Sequence, residues 1–523
     1  MYHCRAVFAI TLSTCGAAAA QDVAPQVQRV QVVGARVLPA TQLAEIARTV
    51  LQGQRPEPAL VRRAFEAIRG AYRQRGYSLA QVINYEIDSQ GTLQLTVAEG
   101  RIRRVLYQGN QRTKVSVLRE TLSLREGMVY RDETVREDRA RLARLGIFSE
   151  VMITGRVPED NEVKGPDSPT LASGDALGLV DLVVRVKETQ TGNVAATVGY
   201  ADQTGLVGFV NLAENNLFGT GQRLAAQWQR FGRVVLQNEG TFSQDPPRTA
   251  FDVTFQRPAF GERSLTYGGS AYDQNTIFLP TFGTPVETLR SYERRKGASG
   301  FLGKQLGRRG SIALTGRRDL VGYDAVPDRL NPPDADLSRA KASVAALGVV
   351  LQSDTRDRAD NPGSGGLDQL RAESAGPQFG GDRRFSQVTL DLRRYTPLAL
   401  LKKPKATLAF RLLGGASTGD VPLSEQFFLG GFELLRGYEF FSIRGDRMAL
   451  GSAEARVPLG TETSGVLFVD VGNAWLPGQS TSFSGLKTSI GMGLRFQSPV
   501  GPIRFDVAVG NQIRTYISLG QSF

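Results

Sequence analysis

The sequence predicts an all-β transmembrane barrel of about 16 antiparallel strands, preceded by two small α/β domains. Three observations carry this prediction. From about residue 190 the chain breaks into short alternating runs rich in Gly, Thr, Phe and Tyr, the pattern of strands with one apolar and one polar face. Beyond the amino-terminal segment there is no window of about 18 apolar residues, which excludes a spanning helix but not a spanning barrel, whose strands leave a weak hydropathy signal. Before residue 190 one order of elements (strand, helix, helix, strand, strand) occurs twice.

The opening stretch carries Arg5, an apolar run from Ala6 to Leu12 and small residues ending at Ala20, the layout of an export signal spanning 1–20 with cleavage near Gln21. Cys15 follows "LST", a poor lipoprotein site, so ordinary cleavage is the favoured reading. His3, Cys4 and Cys15 all fall inside this segment, and the rest of the chain has neither His nor Cys. Thiol catalysis, His-based acid–base work, zinc sites built on those ligands and a disulfide framework are thereby excluded, and no catalytic residue, metal site or cofactor is expected. "GASTG" at 415–419 fits a nucleophile-elbow pattern, but without His to activate Ser417 it reads as a Gly-rich strand end. The formal charge of +12 would allow nucleic acid, yet an exported chain meets anionic lipid first.

The first α/β domain is expected at 25–100. "VQRVQVVG" alternates, Pro39 marks a helix start, and a second helix from Glu57 to about Arg75 places Val61, Ala64, Phe65, Ile68 and Tyr72 on one stripe. Gly76 stops it, and "LAQVINYEID" and "GTLQLTVAEG" follow as a strand pair. The second domain, 101–188, repeats the order, with a Gly-, Pro-, Ser- and acid-rich insertion at 155–178 between its last two strands. A small sheet covered by two helices leaves edge strands free to accept another chain.

The barrel is expected over 190–523. Fourteen alternating runs are visible by eye, from "NVAATVGY" to "TYISLGQSF", and the residue count at about 20 per strand and turn raises the number to about 16. Charges inside these runs, such as Arg393, Arg394 and Asp470, must face the interior or lie near the membrane boundary. Short turns such as "SPVG" at 498–501 fit periplasmic turns, and longer connections at 320–339 and 355–366 fit extracellular loops. The last strand sets Thr515, Ile517, Leu519, Gln521 and Phe523 on one face, with Arg514, Tyr516, Ser518 and Gly520 on the other.

"AYRQRGY", with Gly76 and Tyr77, and "GTLQLTVAEGRIRRV", with Glu99 and Gly100, resemble the first POTRA domain of two-partner secretion (TpsB-like) transporters. "YQGNQRT" and "RLARLGIFSEV" resemble POTRA domains of the BamA and TamA assembly factors. "NNLFGTGQRL", "LLRGY" and "GMGLRFQSPVGPIRFDVA" resemble barrel blocks of the same superfamily. Two repeats are found, fewer than BamA or TamA carries, and no plug helix is recognised ahead of the first. The resemblance implies an outer-membrane barrel with periplasmic repeats that receive client chains, and it makes Ile517, Leu519 and Phe523 a carboxy-terminal strand signal. The partners it implies are unfolded outer-membrane or secreted polypeptides and outer-membrane lipid, with periplasmic chaperones or accessory lipoproteins as further candidates, and no nucleic acid.

In "LGGFELLRGYEF" Arg436 sits among leucines, aromatics and glycines in a connection of about 30 residues, too long for a plain hairpin turn. The resemblance implies that this loop folds back into the barrel and that Arg436 meets Asp470 of "FVDVG". A partly dehydrated arginine needs such a carboxylate, and its planar fork suits two-pronged contact. Gly437 lets the backbone turn, while Tyr438 and Phe432 can wedge against the wall; the alternative is a solvated arginine at a loop tip. The leading functional reading is an insertase for outer-membrane proteins. A two-partner secretion transporter is its rival, a passive pore the next, and an enzyme the least favoured.

Overall fold

The computed structural model describes residues 26–523 apart from 52–54, 56, 157, 159–177, 202–204, 233, 237–241, 245–247, 262–263, 279–290, 308, 326–340, 359–360, 399–405, 440, 461, 498–502 and 520–522. The expected signal at 1–20, most of the insertion at 155–178 and the "SPVG" turn lie outside the described residues. The chain forms two compact units. One takes the residues up to Gln108 with Leu124–Ala140 and Met152–Arg185; the other takes Gly109–Ser123, Arg141–Val151 and Val186–Phe523.

The first repeat runs β1 (Arg29–Val33), α1 (Ala40–Leu51), α2 (Pro58–Gln74), β2 (Gln81–Ile87) and β3 (Thr92–Ala98). Its sheet order is β1-β3-β2, with β1 parallel and β2 antiparallel to β3, so β1 and β2 are its edges. Helical spacing buries Leu43, Ala47 and Leu51 of α1 with Val61, Ala64, Ile68 and Tyr72 of α2, over Leu93, Leu95 and Val97 of β3. Phe65 of the expected stripe is only partly buried, its ring lying edge-on to Tyr85. Glu99 is the polar centre of this domain. One carboxylate oxygen accepts from Arg36 N, Val37 N and Tyr72 Oη, each at 2.8 Å, and burial together with this carboxylate pushes the Tyr72 phenol above its ordinary range. Gly76 carries φ +82°, which explains why the helix ends there.

The second repeat runs β4 (Arg101–Gln108), α3 (Val115–Thr121), α4 (Asp132–Arg144), β5 (Phe148–Arg156) and β6 (Leu179–Glu188), in sheet order β4-β6-β5 with β4 parallel to β6. Asp181 on β6 is buried under Arg103, which grips both its oxygens at 2.8 Å, and Arg104, whose Nε donates at 3.0 Å. Burial opposes ionisation here, but the two guanidinium groups win and hold the carboxyl below its usual value. Asp181→Asn is expected to cost about 1–3 kcal/mol of stability, read as a lower urea midpoint. Because the folded value is depressed, the contribution is complete above the ordinary carboxylate range near about 4 and is lost as the pH falls below it.

Among the described residues the barrel sheet has 16 strands, each paired antiparallel with its neighbours. They are β7 (Gly192–Ala201), β8 (Gly205–Leu217), β9 (Gln222–Gly232), β12 (Arg248–Arg257), β13 (Leu265–Phe278), β14 (Ser291–Leu306), β15 (Gly310–Ala325), β16 (Ala342–Asp354), β17 (Gly365–Ala375), β18 (Phe385–Leu398), β19 (Ala406–Gly419), β22 (Arg447–Pro458), β23 (Thr463–Trp475), β24 (Lys487–Phe496), β25 (Ile503–Val509) and β26 (Ile513–Leu519). A ribbon of β10 (Val234–Leu236) and β11 (Phe242–Gln244) lies between β9 and β12, and another of β20 (Phe427–Leu429) and β21 (Ile443–Gly445) between β19 and β22. β7 and β26 are the end strands of the sheet.

Alternation sorts the side chains as a bilayer demands. On β23, Leu467 is 62% exposed and faces outward, while its neighbours Phe468 and Asp470 are 5% and 1% exposed and face inward. Leu302, Leu314, Leu347, Leu412, Ile490 and Met492 extend the same outward apolar band. Arg393 faces inward and shares Asp391 with Arg411, whereas Arg394 faces outward near the end of β18 and pairs with Asp368.

One expectation is corrected. The 355–366 connection joins β16 to β17, so strand alternation puts it at the periplasmic end with the short β14–β15 turn, not at the extracellular end. Length misled because this turn closes on itself: Asp357 Oδ1 accepts from Arg358 N, Gly363 N and Ser364 N at 2.9, 2.9 and 3.2 Å. In the 320–339 stretch, strand β15 continues to Ala325 and the remainder lies outside the described residues.

Within the larger unit, the start of α3 meets the β8–β9 turn built by "NNLFGTGQRL". Lys114 N donates to Gly219 O at 2.8 Å, and Asn216 Nδ2 donates to the buried Thr113 hydroxyl at 2.9 Å. Gly219 has φ +73°, and a Cβ there would stand 2.0 Å from Arg112 O, so this approach requires glycine.

Candidate functional site

The connection from Asp420 to Asp446 folds against the inner wall. Its residues Phe427, Leu429, Leu435, Tyr438 and Ile443 bury with Leu413, Met448, Leu450 and Ala474 of the wall strands. The turn that delivers Arg436 uses left-handed backbone at Gly430, Gly431, Leu435 and Gly437. Leu435, with φ 61°, is a non-glycine residue held there by its buried side chain.

Arg436 is 2% exposed. Its Nε and Nη2 donate to the two oxygens of Asp470, both at 2.8 Å, and its backbone N donates to the same carboxylate at 3.1 Å. The remaining terminal nitrogen, Nη1, donates to Glu454 Oε1 at 2.7 Å, and the guanidinium carbon lies 3.4 Å from the Phe468 ring centroid. A buried cation is thus matched by two buried carboxylates and an aromatic face, the arrangement that offsets its desolvation.

The loop tip also holds the last strand. Gly437 N donates to Tyr516 Oη at 3.0 Å, and Tyr516 Oη donates onward to Tyr438 O at 3.2 Å. Tyr438 Oη reaches Thr488 O on β24 at 3.1 Å. Phe432 packs with Val466, Phe468, Ala508 and Tyr516, and its carbonyl accepts from Arg504 at 2.7 Å.

A second anchor holds the leg of the loop nearest β19. Glu425 accepts from Arg295 Nη1 at 2.9 Å and from Arg317 Nη2 at 2.7 Å, and Gln387 Nε2 donates to its carbonyl at 2.9 Å. The leg is therefore fixed to β14, β15 and β18, and the tip to β22, β23, β24 and β26. Glu425→Gln is expected to loosen the leg without freeing the tip. Arg295 and Arg317 keep Asp319 as a common partner, so the cost is about 1–2 kcal/mol, read as faster proteolysis of the loop from outside.

The structure brings Arg436, Gly437, Tyr438 and Asp470 into one cluster. Glu454 and Tyr516 join it and were not singled out from sequence. Their signal is present: Glu454 lies in "SAEARVP", where a charge in a strand must face inward, and Tyr516 alternates with Ile517.

The carboxy-terminal residues divide. Ile517 is 75% exposed on the outer face, and Leu519 ends β26, its side chain lying outside the described residues. Phe523 does not share that face. It is 6% exposed, packed with Tyr395 and Ala409, and its carbonyl accepts from Arg456 Nη2 at 3.0 Å. The expectation of one common face therefore fails for Phe523, which is separated from the last described residue of β26, Leu519, by residues 520–522 outside the described residues.

These features define a class of protein: an outer-membrane barrel with periplasmic repeats and a loop anchored inside by its own arginine. The chain belongs to the Omp85 superfamily, whose domain model matches residues 216–523. Residues 101–189 match the surface antigen variable number repeat, a POTRA model, and 26–100 match the ShlB-type POTRA domain. Members of this class sit in the outer membrane with their POTRA domains in the periplasm. The chain is 28% identical over 436 residues to outer membrane protein assembly factor BamA of Nitratidesulfovibrio vulgaris, covering 77% of this chain and 48% of that one. It is 26% identical to BamA of Neorickettsia risticii, covering 83% and 56%. It therefore spans about half the length of these curated relatives. Among solved structures it resembles BamA from Haemophilus ducreyi lacking POTRA domains 1–3, with TM-score 0.58, 19% identity and coverage of 95% and 99%. It also resembles CdiB from Acinetobacter baumannii, with TM-score 0.53, 16% identity and coverage of 95% and 88%. At these identities the likeness is one of fold.

Proposed function

We propose that the protein is an outer-membrane insertase that receives client chains on the edge strands of its periplasmic repeats and inserts or passes them at the seam between β7 and β26. The observation that carries this reading is the loop tip gripping the last strand through Tyr516 while Arg436 is locked to the wall. Such a tip stabilises the strand that must let go if a client is to pair at the seam. An opened seam exposes unpaired backbone groups, which cost several kcal/mol each in lipid unless a client strand satisfies them. Burial of the client's apolar face supplies the free energy, so no nucleotide is required. On the periplasmic side, β2 is an edge strand with Tyr85 exposed, suited to pairing with an extended segment.

A photoreactive residue beside Thr515, followed by identification of crosslinked chains, tests the proposal. Nascent barrel proteins at this position support it. Crosslinks confined to one large secreted polypeptide would overturn it in favour of a secretion transporter, the reading favoured by the ShlB-type match of the first repeat.

A further inference from the structure

Phe523 is held inside the barrel rather than against lipid, and the residue that holds it is Arg456 on β22. This arginine is buried between two aromatic rings, its guanidinium carbon 5.7 Å from the Tyr395 ring centroid and 5.3 Å from that of Phe523. Its Nη2 donates to the Phe523 carbonyl at 3.0 Å, and its Nε donates to Glu454 Oε2 at 2.9 Å. The other oxygen of that same carboxylate, Oε1, accepts from Arg436 at 2.7 Å. One fully buried carboxylate therefore joins the arginine of the loop tip to the arginine that holds Phe523.

We propose that Arg456 is a positioning residue that latches Phe523 in the lumen, and that Glu454 couples this latch to the anchor of Arg436. The proposal rests on the insertase reading for its use but not for its test. Arg436 fixes the orientation of Glu454, and Glu454 holds the Arg456 fork toward the Phe523 carbonyl. While the loop tip is in place it also keeps this region dry, where a charge-assisted hydrogen bond is stronger than in water. When the tip leaves, Glu454 loses a partner and the Arg456 fork loses its support. By linkage, freeing Phe523 must weaken the hold on the loop tip by the same factor. The carboxy-terminal segment is thus held at two points, by Tyr516 within β26 and by Phe523.

The test uses the full chain in lipid bilayers, with no client present. A fluorinated phenylalanine at 523 reports burial of the ring through protection from a soluble paramagnetic relaxation agent. Separately, with Cys4 and Cys15 replaced by Ser, Ser489→Cys places a thiol at an inward-facing wall position that is 1% exposed, and its maleimide labelling rate reports lifting of the loop. In Arg456→Leu the fluorine should lose protection, and the thiol at 489 should label about tenfold faster, the factor expected for one lost charge-assisted hydrogen bond. Arg456→Lys keeps the charge but not the planar fork and should fall between. Phe523→Ala leaves the loop and its carboxylates unaltered and should also accelerate labelling. A protected fluorine in both Arg456 variants would overturn the latch. Unchanged labelling in Phe523→Ala would overturn the coupling, and this variant decides the matter even if Arg456→Leu fails to assemble. Client insertion enters neither readout, so failure of the latch and failure of the insertase reading are distinguishable.

Discussion

Arg436→Ala is expected to reduce client insertion at least about tenfold while the barrel remains assembled, read as a heat-modifiable species of normal mobility on gels. The substitution strands the buried Asp470, both of whose oxygens lose their guanidinium, and removes one of the arginines that Glu454 shares with Arg456. Removing one partner of a buried ion pair costs about 3–5 kcal/mol, and this energy falls on the placement of the loop tip. The strand ladder is untouched, because the register of β22, β23 and β24 is set by backbone pairing. The leg of the loop keeps its separate anchor at Glu425. Arg436→Lys should recover part of the activity, since an ammonium restores charge but cannot grip both oxygens of Asp470 and reach Glu454 together. Wild-type insertion in the Ala variant would remove the anchor from the mechanism.

Gly437→Ala should be nearly as damaging, although it adds a single methyl group. Gly437 has φ +84°, which costs a residue with a side chain roughly 1–2 kcal/mol. A Cβ there would also stand 2.5 Å from Gly510 N, in the connection between β25 and β26. That obstacle is backbone and cannot rotate away, so the tip must back off from the last hairpin. The retreat breaks the 3.0 Å hydrogen bond from Gly437 N to Tyr516. The expected phenotype resembles Arg436→Ala in insertion assays, with intact ion pairs but faster exchange of the β25–β26 amides. Ala at Gly451, where the nearest atom is 3.9 Å away, is the matched control and should be silent.

The parts of the fold that were legible in the sequence are those where physics writes one pattern. Two strands escaped. β14, "SYERRKGASGFLGKQL", carries Glu293 and Arg295 inward and Arg294 and Lys296 on the opposite face, where both approach Asp273, so charge on both faces erases alternation. β17, "GGLDQLRAESA", hides its inward Glu373, partner of Arg317, among polar residues of both faces. The site was half legible. Motif resemblance pointed from Arg436 to Asp470, because both lie in recognisable local strings. Glu454, Tyr516, Glu425 and Arg456 contribute through pairings between distant strands, and a single sequence does not say which inward positions stand at the same height. Phe523 was misread because two-residue alternation was carried four residues beyond Leu519, while its ring is buried against the inward-facing Tyr395 and Ala409.

In the proposed mechanism the loop tip holds the last strand at the seam. Distance measurement between spin labels at Val194 on β7 and Ile517 on β26, both exposed on the outer face, tests it most directly. In bilayers without client, the wild-type protein should give one narrow distance population, and Arg436→Ala should add a longer, broader one. The same narrow population in both proteins would contradict the claim.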